Sequence, residues 1–150
     1  MGLRPRFKGK IMPSNTQASG VAYSDPEFTT CYASQEIGYA TGAQGTVTQL
    51  TSKATGVTLN KSAGRITMHD AALAAGAAVS FILTNSTISI NDTIIVNVSS
   101  NTTGSAAGAY TTYVSYLAAG SALITLRNLT AATSYSEAVI INFAIIHGAT

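Results

Sequence analysis

Between Gly45 and Met68 the chain reads GTVTQLTSKATGVTLNKSAGRITM, short apolar-polar runs split by Thr-Ser-Lys-Ala-Thr-Gly and Asn-Lys-Ser-Ala-Gly. Val57 and Leu59 alternate with Thr58, and Ile66 and Met68 alternate with Arg65, Thr67 and His69. Period-two alternation gives each run one apolar and one polar face, the mark of a half-buried strand. The same pattern continues down the chain and predicts about eight strands, near 45–50, 56–60, 64–69, 78–85, 92–99, 109–117, 121–128 and 137–147. In the fourth, Val79, Phe81 and Leu83 share a face; in the fifth, Ile94, Val96 and Val98 stand against Thr93, Asn97 and Ser99. Burying one such side chain contributes about 1.5–3 kcal/mol, so these faces require a second sheet to pack against.

The last run differs because both of its faces are apolar: Val139, Ile141, Phe143 and Ile145 form one, and Ala138, Ile140, Ala144 and Ile146 the other. Such a strand is either central or covered on its second face by another subunit. Ile140, Asn142, Ala144 and Ile146 are therefore the candidate oligomer interface, in which Asn142 needs hydrogen-bond partners.

An internal echo accompanies the strands. Leu73-Ala74-Ala75-Gly76 and Leu117-Ala118-Ala119-Gly120 each precede an alternating run, one ending in Thr84-Asn85 and the other in Arg127-Asn128. These elements read as turns with glycine at a position of positive φ. Asp70 and the alanines after it allow at most one helical turn over 70–78.

Residues 1–37 are of another kind. They hold all three prolines and no persistent period, and they are expected to form an extended, irregular arm ahead of a sandwich domain over 38–150. At about 3.3 Å per residue such an arm reaches a neighbouring subunit. Arg4, Arg6, Lys8 and Lys10 place half of the eight basic residues in the first ten positions, with no acid among them. The basic asymmetry is local, and no basic face extends over the folded part, which argues against a nucleic-acid-binding domain.

Composition sharpens the picture. Charged residues make up 9% of the 150, against about a quarter in ordinary domains. Ser, Thr and Asn fill the outward positions, a surface that lets identical copies approach without charge repulsion. A chain of this length buries enough surface to fold without metal or disulfide staples. No membrane span is expected, because the run over 138–146 is interrupted by Asn142 and falls short of ~20 apolar residues. The opening residues lack the apolar stretch of a secretory signal.

Candidate chemistry is sparse. Cys31 has no ligand spacing or activating base beside it, and His69 and His147 end apolar strands with no carboxylate, cysteine or second histidine at ligand spacing. Asp70, Asp92 and Glu137 fall at turns, where carboxylates cap and solvate. The glycines form no phosphate-binding pattern. Asn-x-Ser/Thr occurs at Asn60, Asn85, Asn91, Asn97, Asn101 and Asn128, for which an Asn/Thr-rich composition is the simpler account than glycosylation. Of the tyrosines crowded on the sixth strand, alternation puts Tyr110 and Tyr116 on one face and Tyr113 on the other, so they are not expected to form one stacking platform. No catalysis, metal or cofactor is expected.

The run GYATGAQGTVTQLTSKATGVTLNKSAGRITM, followed by LAAGAAVSFILTN, DTIIVNVSS, GAYTTYVSYLAAGSALITLRN and SEAVIINFAII, resembles a domain of tailed-bacteriophage virion proteins over about 38–150. The resemblance implies an all-β, jelly-roll-like sandwich of about eight antiparallel strands, commonly trimeric, as in capsid decoration (cement) proteins and head or tail fibre components. It supplies no catalytic residues. The reading it favours is a non-enzymatic decoration protein on the outer surface of a phage capsid. Arg4, Arg6, Lys8 and Lys10 would clamp the major capsid protein, and the sandwich would form a homotrimer. The alternative is a fibre or adhesin domain that binds host glycan through loops such as 100–108; that loop carries no aromatic or charged group to orient a sugar.

Overall fold

A computed structural model describes residues 35–101 and 108–148. The arm residues Arg4, Arg6, Lys8 and Lys10, Cys31, and positions 102–107 of the loop over 100–108 lie outside the described residues. The strands belong to one compact unit, Ile37–Thr150. A 3-10 turn at Thr41–Ala43 leads into β1 (Gln44–Thr48), β2 (Val57–Thr58), β3 (Ala63–Thr67) and β4 (Ala78–Thr84). Then follow β5 (Thr93–Asn101), β6 (Tyr110–Ala118), β7 (Ser121–Asn128) and β8 (Val139–Ile146).

These eight strands make a β-sandwich of two four-stranded sheets, ordered β1-β3-β8-β5 and β2-β4-β7-β6. The expected antiparallel pairing holds for β3–β8, β5–β8, β4–β7 and β6–β7, whereas β1–β3 and β2–β4 run parallel. The reason lies in the winding. From β1 to β6 the chain changes sheet at every connection, so it returns to each sheet two strands later in the same direction. β8 and β7 then insert antiparallel into the middle of the two sheets.

Between the sheets lie Ile66 and Met68 of the third run, Phe81 and Leu83 from β4, Ile124 and Leu126 from β7, and Val139, Ile141, Phe143 and Ile145 from β8. Ile66, Met68, Phe81 and Leu83 lie on the apolar side of their alternating runs, and of the two apolar faces of β8 the one with Val139, Ile141, Phe143 and Ile145 turns inward. The Ala-Ala-Gly elements are turns: Gly76 has φ 69° and Gly120 φ 77°, conformations that a side chain disfavours. Ala77 N–H closes the first turn on Ala74 O at 3.1 Å, and no helical turn forms over 70–78.

The echo continues past the strands. Asn85 and Asn128, fully buried at 0% exposure, end β4 and β7 in the same way. The Asn85 side-chain oxygen accepts from Thr87 N–H (3.0 Å) and Thr87 Oγ1 (2.8 Å), and its amide donates to Lys61 O (2.7 Å). Asn128 accepts from Thr130 N–H (3.0 Å) and Thr130 Oγ1 (2.7 Å), and donates to Leu73 O (3.1 Å) and Thr133 O (2.8 Å). Asparagine presents an acceptor and a two-proton donor on one planar group, so it closes a corner that no apolar residue would satisfy. Two of the six Asn-x-Ser/Thr triplets are thus internal corners, closed to glycosylation.

Candidate functional site

Two surfaces and two ends of the sandwich hold the groups that bear on function. The outer face of the first sheet is a grid fixed by register. Arg65, Asn142 and Asn97 form one cross-strand row, Ala63, Ala144 and Ile95 the next, and Ile146 lies opposite Thr93. Of the candidate interface residues, Ile140 is already buried by its own chain at 7% exposure, Asn142 and Ala144 are half-buried, and Ile146 is 55% exposed. All four share this face. A shallow groove of about 480 Å³ crosses it, with Thr41, Gln44, Thr46, Arg65 and Asn142 among its walls. Its floor is thin because Gly45 and Gly64 stand side by side in β1 and β3, and their missing side chains leave room for Leu59 and Phe143 beneath.

The outer face of the second sheet has rows Ala78–Arg127–Thr111, Ser80–Thr125–Tyr113, Ile82–Leu123–Tyr116 and Thr84–Ser121–Ala118. Here the expectation for the tyrosines is corrected. A β-bulge between Val114 and Tyr116 inserts Ser115 without a partner, and one extra residue inverts side-chain parity. Tyr113 and Tyr116 therefore share the outer face, while Tyr110 turns inward against Tyr135, ring centroids 5.9 Å apart. Each outer face carries one charge among these paired positions, Arg65 on the first sheet and Arg127 on the second.

At one end of the sandwich Lys53 is buried, although it sits in a Ser/Thr loop. Its ammonium donates to the carbonyl of His69 and to Glu137 O at 2.6 Å. Gln49 holds the same loop, its Nε2 donating to Lys53 O (3.1 Å) and Thr55 O (2.7 Å) while its Oε1 accepts from His69 N–H (3.1 Å). Burial lowers the Lys53 pKa, an effect opposed by the charges of Asp70 and Glu137. Glu137 is buried beside Tyr110. No described group completes a hydrogen bond of normal geometry to the Tyr110 hydroxyl, but burial first, and then the Glu137 carboxylate, push that phenol up.

At the opposite end Asp92 is also buried. Its carboxylate accepts from Ser89 N–H (2.7 Å), Ser89 Oγ (2.9 Å) and Gly148 N–H (3.1 Å), with His147 Nδ1 at 3.2 Å. The Ser89 backbone donor leads the effects that hold its pKa down at about 2. The His69 ring has local partners: its Nδ1 accepts from Ala71 N–H at 3.0 Å and lies 3.3 Å from the adjacent Asp70.

Sequence reasoning placed Asp92 and Glu137 at turns but saw neither end as a cluster. The members are far apart in the chain, and the one local hint is a lone lysine in a hydroxyl-rich loop. Chemically both ends are struts, since the Lys53 protons go to carbonyls and the Asp92 oxygens to N–H and hydroxyl donors. Among the described residues no three of His, Cys, Asp and Glu gather as a metal cage, and no helix is long and apolar enough to cross a membrane. No family model, curated protein or solved structure matches the chain.

Proposed function

We propose that the chain is a structural virion protein, a decoration (cement) protein on the outer surface of a phage capsid. The observation that carries this reading is the make-up of the outer face of the first sheet, a broad strand surface with a single arginine and otherwise amides, hydroxyls and aliphatic groups. Such a face suits repeated packing of identical copies and has little charge to desolvate. The rigid sandwich, the resemblance of its segments to virion proteins and the basic sequence at Arg4, Arg6, Lys8 and Lys10 support the same reading.

In this proposal the sandwich associates as a homotrimer through the first-sheet face, with Asn142, Ala144 and Ile146 at the contact and Ile140 as its buried support. A stable interface buries more than about 1,000 Å² with an apolar centre. The basic residues engage acidic groups of the major capsid protein. Exposed ion pairs contribute at most about 1 kcal/mol each, so strand addition or shape fit supplies most of the affinity. The test is deletion of residues 1–12. The variant is expected to remain a folded trimer by light scattering and to lose co-sedimentation with phage heads. Undiminished binding to heads would refute the role of the basic residues, and a full-length monomer at micromolar concentration would refute the trimer.

A further inference from the structure

The second-sheet face carries features that the virion reading leaves unused. The bulge at Ser115 brings Tyr113 and Tyr116 onto one surface, 46% and 66% exposed, with Leu123 between Tyr116 and Ile82, which is 52% exposed two strands away. Along a strand the two rings stand roughly 7–10 Å apart. Beside them runs a chain of hydroxyls: Ser80 Oγ lies 2.8 Å from Thr125 Oγ1, which lies 2.9 Å from Ser115 Oγ. Ser115 Oγ also donates to Leu123 O at 3.2 Å. Ser80 and Ser115 are exposed and Thr125 is buried beneath them. Each hydroxyl has one donor and two acceptor positions, so this chain keeps acceptor capacity turned to solvent.

The geometry points to an oligosaccharide-binding platform on this face, with Tyr113 and Tyr116 stacking against successive sugar rings and the Ser80–Thr125–Ser115 hydroxyls meeting the sugar hydroxyls. Tyrosine offers an apolar ring and a polar tip, the combination that an amphipathic sugar ring requires. The paired positions hold one charge, Arg127, at the far row from Tyr116, which fits a neutral glycan. A second copy of the chain fits less well. The exposed rings and Ile82 present roughly 300 Å² of apolar surface, whereas a stable protein interface takes about 800 Å² from each partner.

The inference stands apart from the virion reading, because sugar binding is measured on the isolated protein. With no tryptophan in the chain, the emission comes from seven tyrosines, two of them on the platform, and the change that the tyrosine truncations abolish is the platform's share. The full-length protein is titrated with maltohexaose, cellohexaose and chitohexaose, by fluorescence and by calorimetry. At least one is expected to bind saturably, with Kd on the order of 1 mM or tighter. Tyr113→Ala and Tyr116→Ala are each expected to weaken it about tenfold, Tyr116→Phe to preserve it, and Arg127→Ala to leave it unchanged. Circular dichroism melts check that the variants fold, and Tyr116→Phe keeps the comparison valid if Tyr116→Ala does not. Absence of binding by all three sugars at about 10 mM overturns the proposal. So does binding that both tyrosine truncations leave intact, or a truncation that breaks an oligomer in a protein that binds no sugar.

Discussion

The two ends of the sandwich are closed by the same two parts, a buried charge and a buried asparagine followed two residues later by threonine, yet the charges stand in opposite situations. Asp92 is surrounded by donors aimed at its ionised form, and its pKa falls to about 2. Lys53 donates to carbonyls, but desolvation outweighs the favourable charges of Asp70 and Glu137 and its pKa is lowered, against the charged form. Backbone N–H and hydroxyl donors converge easily on a carboxylate where a turn folds around it. The Lys53 ammonium is held at carbonyl dipoles, and the Asp70 and Glu137 charges offset only part of its desolvation. A buried anion can thus stabilise its end outright, while a buried cation ties loops together at a cost.

The contrast is broken most strongly at Lys53. Lys53→Ala should lower unfolding stability by about 3 kcal/mol, because it leaves the His69 carbonyl without its Lys53 donor and removes the positive charge that faces Asp70 and Glu137. Lys53→Met, which keeps the volume, should lose less. Urea titrations of the two variants measure the difference, and equal losses would show that packing rather than the cation holds this end.

The asparagine corners come next. Asn128→Ala should cost about 2–3 kcal/mol and Asn85→Ala somewhat less, since the Asn128 amide serves two carbonyls and the Asn85 amide one. Thermal melts rank them, and the reverse order would show that hydrogen-bond count does not set the balance between the ends.

Gly64→Ala places a Cβ 2.7 Å from Leu59 Cδ2, 2.8 Å from Phe143 Cε1 and 2.9 Å from Gly45 O. A loss of about 1–3 kcal/mol follows, because the backbone oxygen cannot move aside as a side chain can. At the aspartate end a Cβ on Gly148 would overlap the Asn91 carbonyl. Gly148→Ala should therefore detach Gly148 N–H from Asp92 and speed hydrogen exchange there.

The smallest effects are in pH dependence, and both ends have the same sign. For Asp92 the folded pKa lies below the unfolded value of 3.8. Its contribution is present above that value and is lost as pH falls toward about 2. Asp92→Asn should flatten the acid limb of a stability-against-pH curve. For Lys53 the unfolded chain binds the proton more tightly, so stability rises with pH on approach to the ordinary value of 10.5. Lys53→Met should remove that alkaline rise, and a rise that persists would place its origin elsewhere.

Much of this molecule is legible from alternation. Strands at 78–84, 93–101, 110–118 and 121–128 fall within two residues of their sequence bounds, and the inward Phe81 and Leu83 of β4 are the ones the pattern marks, whereas in β8, apolar on both sides, only the structure selects Val139, Ile141, Phe143 and Ile145 as the inward set. Both Ala-Ala-Gly turns follow from glycine chemistry alone. The tyrosines show where the pattern stops, because parity holds only until a bulge, and the Ser115 bulge leaves no mark that alternation can read. The end clusters are out of reach for another reason. Lys53 and Glu137 are 84 residues apart, and Asp92 and His147 are 55 apart.

The sequence by itself determined that this chain forms strands, where they turn and which side of each is apolar, because those properties depend on neighbours two or three residues away. Tertiary structure alone decided the parallel edge pairings, the surface shared by Tyr113 and Tyr116, and the burial of Lys53 and Asp92. These depend on the path by which the chain crosses between sheets and on which distant loops meet at each end.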